Sequence, residues 1–339
     1  MQIPIVLLCL ICALTYSCSK DSDNNKESFL IIQTPEGFPE FKAPSGEEIN
    51  PIRFALGKKL FFDTRLSIDN SISCGSCHFQ SNAFTDSRVS SVGVDGALGQ
   101  RNSQPLFNLA WRTRFFRDGG VDDLALSVLN PINNPHEMRF SISGVLKRLN
   151  ENQAYQTLFR QAFNDTATAQ NTIRALSVFQ RMLISANSRY DQKYLQNKPI
   201  NLTEQEQRGY ELFFGNKTRC ASCHGGFNFS NEEFRCNGLF ESYPDSGRQR
   251  ITFLVADRGK FLVPSLRNVA VTAPYMHDGS IETLEEVIER YNQGGTSFFN
   301  KDPQIQPLGL SNEEKADLKA FLLTLTDSSF LNNPAFQAY

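Results

Sequence analysis

Two pentapeptides carry the residues best suited to chemistry. Cys74-Gly75-Ser76-Cys77-His78 and Cys220-Ala221-Ser222-Cys223-His224 each set two thiols three positions apart with an imidazole directly after them. That is the C-x-x-C-H spacing of covalent c-type haem attachment. Each cysteine adds to one vinyl group of the porphyrin, and the adjoining histidine reaches the iron as proximal ligand. A zinc site would ask for a further Cys or His pair at a matching distance, and a redox dithiol has no use for the histidine. The chain has only eight cysteines and four histidines in 339 residues, so chance accounts poorly for one such pentapeptide and worse for two. The reading is two covalent haem c groups, one on Cys74, Cys77 and His78, the other on Cys220, Cys223 and His224.

The elements that position these motifs read as helices. Apolar spacing becomes helical from about Pro51, and Ser141 to Leu149 and Thr166 to Leu183 follow the same pattern, the latter through Ile173, Leu176, Phe179 and Leu183. Thr203 with Glu206, and Ser311 with Glu314, have capping-box spacing, the second box opening onto Ala316 to Leu325. An internal repeat precedes the two haem motifs: Gly57-Lys58-Lys59-Leu60-Phe61-Phe62 before the first, Gly209-Tyr210-Glu211-Leu212-Phe213-Phe214 before the second. Strand signals are few. The expected fold is mainly α, with two cytochrome c-like domains, each binding one haem c and each carrying long loops. Asn197-Lys198-Pro199 interrupts the helical pattern and marks the division, giving domains over 50–198 and 199–339.

Length and composition agree. A chain of 339 residues leaves room for two cores, and 40% hydrophobic with 21% charged residues describes a globular protein. A net charge of -2 argues against nucleic acid as a partner. Residues 1–18 read as a signal peptide: Ile3 to Tyr16 is almost wholly apolar yet too short to span a bilayer. The small residue before Cys18 resembles a lipoprotein cleavage site, although Thr15 stands where an aliphatic residue is usual and no basic residue precedes the apolar run. The expectation is export to the periplasmic side of a bacterial envelope and a lipid anchor on Cys18, with 19–49 as tether and lead-in. Cys9 and Cys12 then leave with the signal, and Cys236 alone remains, as a buried or idle thiol.

Several phrases together resemble the bacterial di-haem cytochrome c peroxidases and their MauG-type relatives, over Pro51 to Asp327. They are Leu56-Gly57-Lys58-Lys59-Leu60-Phe61-Phe62-Asp63, Leu98-Gly99-Gln100-Arg101-Asn102, Phe115-Phe116-Arg117-Asp118-Gly119, Asn134-Pro135-His136-Glu137-Met138, and Ala273-Pro274-Tyr275-Met276-His277-Asp278-Gly279. The resemblance implies that the haem on His78 is the peroxidatic centre and the haem on His224 its electron supply. It assigns the catalytic acid-base carboxylate to Glu137, which read alone is an ordinary surface glutamate. Peroxide must lose a proton from one oxygen and regain it on the other, and one carboxylate can do both. His136 adjoins Glu137 and would tune its proton affinity.

Departures from the family pattern are informative. Where some relatives have a histidine capping the first iron, this chain has Val94, which implies an uncapped first haem. The second axial position of the other haem, Met in some relatives and Tyr in MauG types, falls on Tyr291, a phenolate that would lower the potential. Met276 is its rival, and a Tyr packed at a helix end is the plain alternative. A bridging Trp is replaced by Arg117, suited to a haem propionate. The only Trp, Trp111, reads as core, with displacement into the bridging role as the alternative, and His277 reads as structural. The resemblance also implies a calcium ion between the domains, held by Asn102, Thr272 and Pro274 with waters. Three functions follow. One is peroxide reduction with electrons from a small cytochrome c or cupredoxin; a second is a MauG-like oxidase acting on a protein substrate; a third is a non-catalytic electron carrier. A homodimer is a further expectation from the family.

Overall fold

In the computed structural model, which describes residues 34–339, eleven helices and short 3-10 turns account for nearly all regular structure. The readings on the signal peptide, Cys18 and most of the tether lie outside the described residues. Helix α1 (Pro51–Phe61) starts where Asn50 accepts from the Arg53 amide and Pro51 takes the first helical position. The short α2 (Leu124–Ser127) and α3 (Leu129–Asn133) follow, then α4 (Ile142–Asn150), α5 (Gln153–Phe163) and α6 (Ala169–Arg181). The second half holds α7 (Glu204–Phe214), α8 (Gln249–Thr252), α9 (Leu284–Asn292), α10 (Asn312–Leu323) and α11 (Ser328–Leu331). Among the described residues the only paired strands are β1 (Phe234–Arg235) and β2 (Phe261–Leu262), antiparallel with Phe234 opposite Leu262.

Element ends differ from the sequence expectation where a cap decides them. Ser141 stays outside α4 as its N-cap, and α6 starts three residues later than expected because Thr168 caps it. Both capping boxes form, and α10 begins at Asn312, directly after Ser311. A third box, Thr283 with Glu286, starts α9, a helix the apolar spacing had not marked.

The repeat has a packing cause. A Cβ on Gly57 would lie 1.9 Å from the Ala175 carbonyl oxygen, and one on Gly209 would lie 1.9 Å from that of Asp317. Glycine therefore lets α1 press onto α6, and α7 onto α10, at backbone contact. The following phenylalanines close each crossing in the same way: Phe61 to Phe179 at 5.0 Å, Phe213 to Phe321 at 5.1 Å. Two hydrophobic cores form around these crossings.

The chain exchanges material across the expected division at Asn197–Pro199. Tyr190 packs on the second core, while Phe330 and Phe336 belong to the first, Phe330 lying 5.8 Å from Phe84. Helix α11 reaches the first core because the segment after α10 crosses back over it. Ion pairs on buried carboxylates reinforce the join. Arg267 and Asp191, both fully buried, meet in a two-pronged pair at 2.7 and 2.8 Å. The fully buried Asp118 receives Arg101 at 2.7 Å and Arg250 at 2.7 Å.

Candidate functional site

At the first pentapeptide, Cys74–Ser76 form a 3-10 turn, and the amides of Cys77 and His78 both donate to the Cys74 carbonyl, at 3.2 and 3.0 Å. The turn gathers both thiols and the imidazole on one short loop. His78 Nδ1 lies 2.6 Å from the Phe84 carbonyl. That carbonyl turns toward the ring because Ala83 and Phe84 are consecutive left-handed residues, φ 52 and 58. A carbonyl only accepts, so Nδ1 carries the proton and Nε2 keeps its lone pair for a metal. Burial lowers the proton affinity of His78, which favours that neutral form.

The second pentapeptide repeats the device. Amides of Cys223 and His224 donate to the Cys220 carbonyl at 3.3 and 2.9 Å, and His224 Nδ1 faces the carbonyls of Pro264 at 3.1 Å and Phe229 at 3.3 Å. Beside it opens a cavity of about 280 Å³, with Cys220, Cys223 and His224 on one wall and Leu284, Ile288 and Leu318 among the apolar side chains. Tyr291 and Met276 both line this cavity. Asn237 lines the same cavity, and its amide lies 3.4 Å from Met276 Sδ. Burial pushes the Tyr291 phenol up, and the neighbouring Asn237 side chain works the other way. An apolar cradle, two thiols and an imidazole with a free Nε2 fit a covalent haem.

Glu137 and Val94 come together although 43 positions separate them in the chain. The Val94 amide donates to the Glu137 carbonyl at 3.0 Å. Gly93 makes this possible, since a Cβ there would lie 2.2 Å from the His136 carbonyl oxygen. An Arg139–Asp95 ion pair holds the same two loops. The Asn134 amide donates to Glu137 Oε1 at 2.7 Å, leaving Oε2 free of it. Burial raises the proton affinity of Glu137; Asn134, and less strongly His136, lower it. Burial pushes Cys74 up to about 12 and Cys77 to about 11, and the charge of Glu137 adds to both, which puts this carboxylate in electrical reach of the first motif.

The remaining residues from the sequence reading fall in distinct places. Trp111 donates from its indole N–H to the Pro39 carbonyl at 2.8 Å and packs edge-on to Phe38 at 5.0 Å. His277 stacks on Phe261 at 3.9 Å, and burial lowers its pKa to about 4. Cys236 is buried, 3.3 Å from the Tyr243 hydroxyl. Asn102, Thr272 and Pro274 line the large cavity together with Arg117. Both oxygens of Asn102 that a calcium ion would draw on already accept from Arg117, Oδ1 at 2.8 Å and the carbonyl at 3.3 Å. Asn102, the side-chain donor of the expected calcium, is thus engaged by a guanidinium, which does not suit a second cation on the same oxygen.

Sequence reasoning gave no role to Asn134 or Asn237, nor to the carbonyls of Phe84, Phe229 and Pro264. Asn134 had a weak signal, three residues before Glu137 at a loop turn. Backbone carbonyls carry none.

A family profile described as di-haem cytochrome c peroxidase matches residues 51–199. The methylamine utilization protein MauG of Methylorubrum extorquens is 37% identical over 298 residues, 87% of this chain and 83% of its own. The cytochrome c551 peroxidase of Nitrosomonas europaea is 33% identical over 290 residues, 84% of this chain and 86% of its own. The crystal structure of a MauG-like protein associated with microbial copper homeostasis is similar with a TM-score of 0.85 at 36% identity, covering 91% of this chain and 98% of that one. The chain belongs to the di-haem cytochrome c peroxidase family. It is thus an oxidoreductase of the peroxidase type, with haem c as its cofactor.

Proposed function

We propose that the protein reduces hydrogen peroxide to water at the His78 site, with electrons entering from a small cytochrome c or cupredoxin through the His224 site. The observation that carries this reading is Glu137, half-buried against the Val94 loop and in electrical reach of Cys74 and Cys77. When bound at His78, haem supplies the iron at which the peroxide O–O bond is cleaved and into which electrons flow. His78 orients that group through Nδ1–H donated to the Phe84 carbonyl. Glu137 takes a proton from peroxide on Oε2, the oxygen Asn134 leaves open, and returns it to the oxygen departing as water. The apolar Val94 offers no competing ligand at the loop beside it. Replacing Glu137 with Gln should lower steady-state peroxide turnover by roughly 10²- to 10⁴-fold while both haem spectra persist. Unchanged turnover would leave a plain electron carrier.

A MauG-like oxidase acting on a protein substrate is favoured by one specific feature, the phenol of Tyr291 on the cavity wall with His224. In this reading Tyr291 would supply the iron of that haem with a ligand besides His224, and Met276 would not. A methionine-to-iron charge-transfer band in near-infrared magnetic circular dichroism would remove Tyr291 from the role. Arg117 weighs against shared oxidation, because a guanidinium at the bridging position offers no aromatic ring to pass electrons. We further propose export and lipidation at Cys18, which intact-mass analysis of the mature chain tests: a chain starting beyond Cys18 excludes it. Among the described residues no helix is long and apolar enough to cross a membrane.

A further inference from the structure

We propose that the Arg117 guanidinium is the resident cation of the junction between the two haem-bearing halves, standing where the resemblance implies calcium, so that the protein holds together without a divalent ion. This inference is independent of which oxidation the haems perform.

The guanidinium hydrogen bonds run to neutral oxygens: the Asn102 carbonyl from Nε and Nη2 at 3.3 Å, Asn102 Oδ1 from Nη2 at 2.8 Å, and the Ser103 carbonyl from Nη2 at 3.5 Å. None is to a carboxylate. Carbonyl and amide oxygens around one positive centre are the donor set a hard cation takes. The rest of Asn102 is committed as well, its amide N–H to the His277 carbonyl at 3.0 Å and its Nδ2 to the Arg88 carbonyl at 3.0 Å. The Asn102 side chain therefore cannot turn away to serve a second cation without breaking both hydrogen bonds it makes.

Charge argues the same way. Arg117 is half-buried on the cavity wall, and a guanidinium stays a cation at neutral pH. Arg112 adds like charge, and Asp278 is the acidic group it senses, without a hydrogen bond between them. A divalent ion on Asn102 Oδ1 would lie next to this guanidinium among neutral oxygens, with repulsion that low-dielectric surroundings magnify. Calcium sites usually offset such charge with carboxylates. Among the described residues no group of three or more His, Cys, Asp or Glu converges to hold a metal.

Arg117 also ties the junction together, its side chain holding one loop while its backbone carbonyl holds the other half. Arg117 accepts the Leu262 amide on its own carbonyl at 2.8 Å, so one residue joins β2 to the Asn102–Ser103 loop. Thr272 and Pro274, the other implied calcium donors, share the cavity wall with it.

The test uses the purified holoprotein. Elemental analysis after gel filtration in EGTA should find no stoichiometric calcium, and EGTA or added calcium should leave the thermal midpoint and both haem spectra unmoved. One calcium per chain whose removal lowers the midpoint would overturn the proposal. Replacing Arg117 with Ala vacates the oxygens; this variant should bind one calcium by titration calorimetry and rise in thermal midpoint as calcium is added. Adding Asn102→Ala should abolish that response. A folded Arg117→Ala variant indifferent to calcium would also overturn the proposal. If Arg117→Ala does not fold, Arg117→Lys keeps the charge and should stay calcium-independent; calcium dependence in that variant would refute the substitution of one cation for the other.

Discussion

Substituting alanine for Gly209 tests the helix crossing on which the second haem site stands. The added Cβ would meet the Asp317 carbonyl oxygen at 1.9 Å and Phe321 Cβ at 2.9 Å, where ordinary contact begins at 3.4 Å. A backbone carbonyl cannot rotate aside, so α7 and α10 must part by about 1.5 Å. A gap of roughly 0.5–1 Å already forfeits a quarter to a half of the dispersion attraction between facing atoms. The Phe213–Phe321 contact at 5.1 Å is the first to loosen. Overpacking costs about 1–3 kcal/mol and more when backbone moves, and replacing a helical glycine returns about 1 kcal/mol. Taking the upper end of that cost because backbone must move, the expected net loss is about 2 kcal/mol, a fall of roughly 4–8 °C in thermal midpoint. Thermal unfolding of the holoprotein, followed at the haem bands, measures it. Because the two crossings feed separate cores, Gly209→Ala should disturb the electron paramagnetic resonance signal of the haem on His224 and spare that on His78. Gly57→Ala, against Ala175, should do the reverse. An unchanged or higher midpoint in both variants would refute the close crossing.

Two further outcomes follow from named contacts. Asn134→Ala removes a hydrogen bond that favours the ionised form of Glu137, while the burial that disfavours it stays. Glu137 must be ionised to accept a proton, so activity is lost as pH falls through its pKa; the acid limb of the pH profile should therefore move to higher pH, and a limb that moves down contradicts the assignment. Asp191→Asn leaves the fully buried Arg267 guanidinium without its carboxylate, which should cost about 3–5 kcal/mol in denaturant unfolding. A loss well under 1 kcal/mol would mean that this pair does not hold the junction.

Local chemistry was legible in the residues themselves. A C-x-x-C-H pentapeptide needs nothing distant to be recognised, since its thiols and imidazole are neighbours in the chain. Helix starts at Thr203 and Ser311 were readable for the same reason, because a capping box spans four residues. The family phrases pointed to Glu137 without explaining it. Only the tertiary structure set it beside Val94 and buried its carboxyl, because that depends on where a loop 43 residues away returns; its partner Asn134 is three residues away in the chain. The calcium expectation shows the limit from the other side. Asn102, Thr272 and Pro274 are all present in the sequence, yet whether the Asn102 oxygens are free depends on the reach of a side chain from position 117. Repeated glycines at 57 and 209 marked a duplication; the crossing that requires them is a distance between helices, which no single stretch of chain contains.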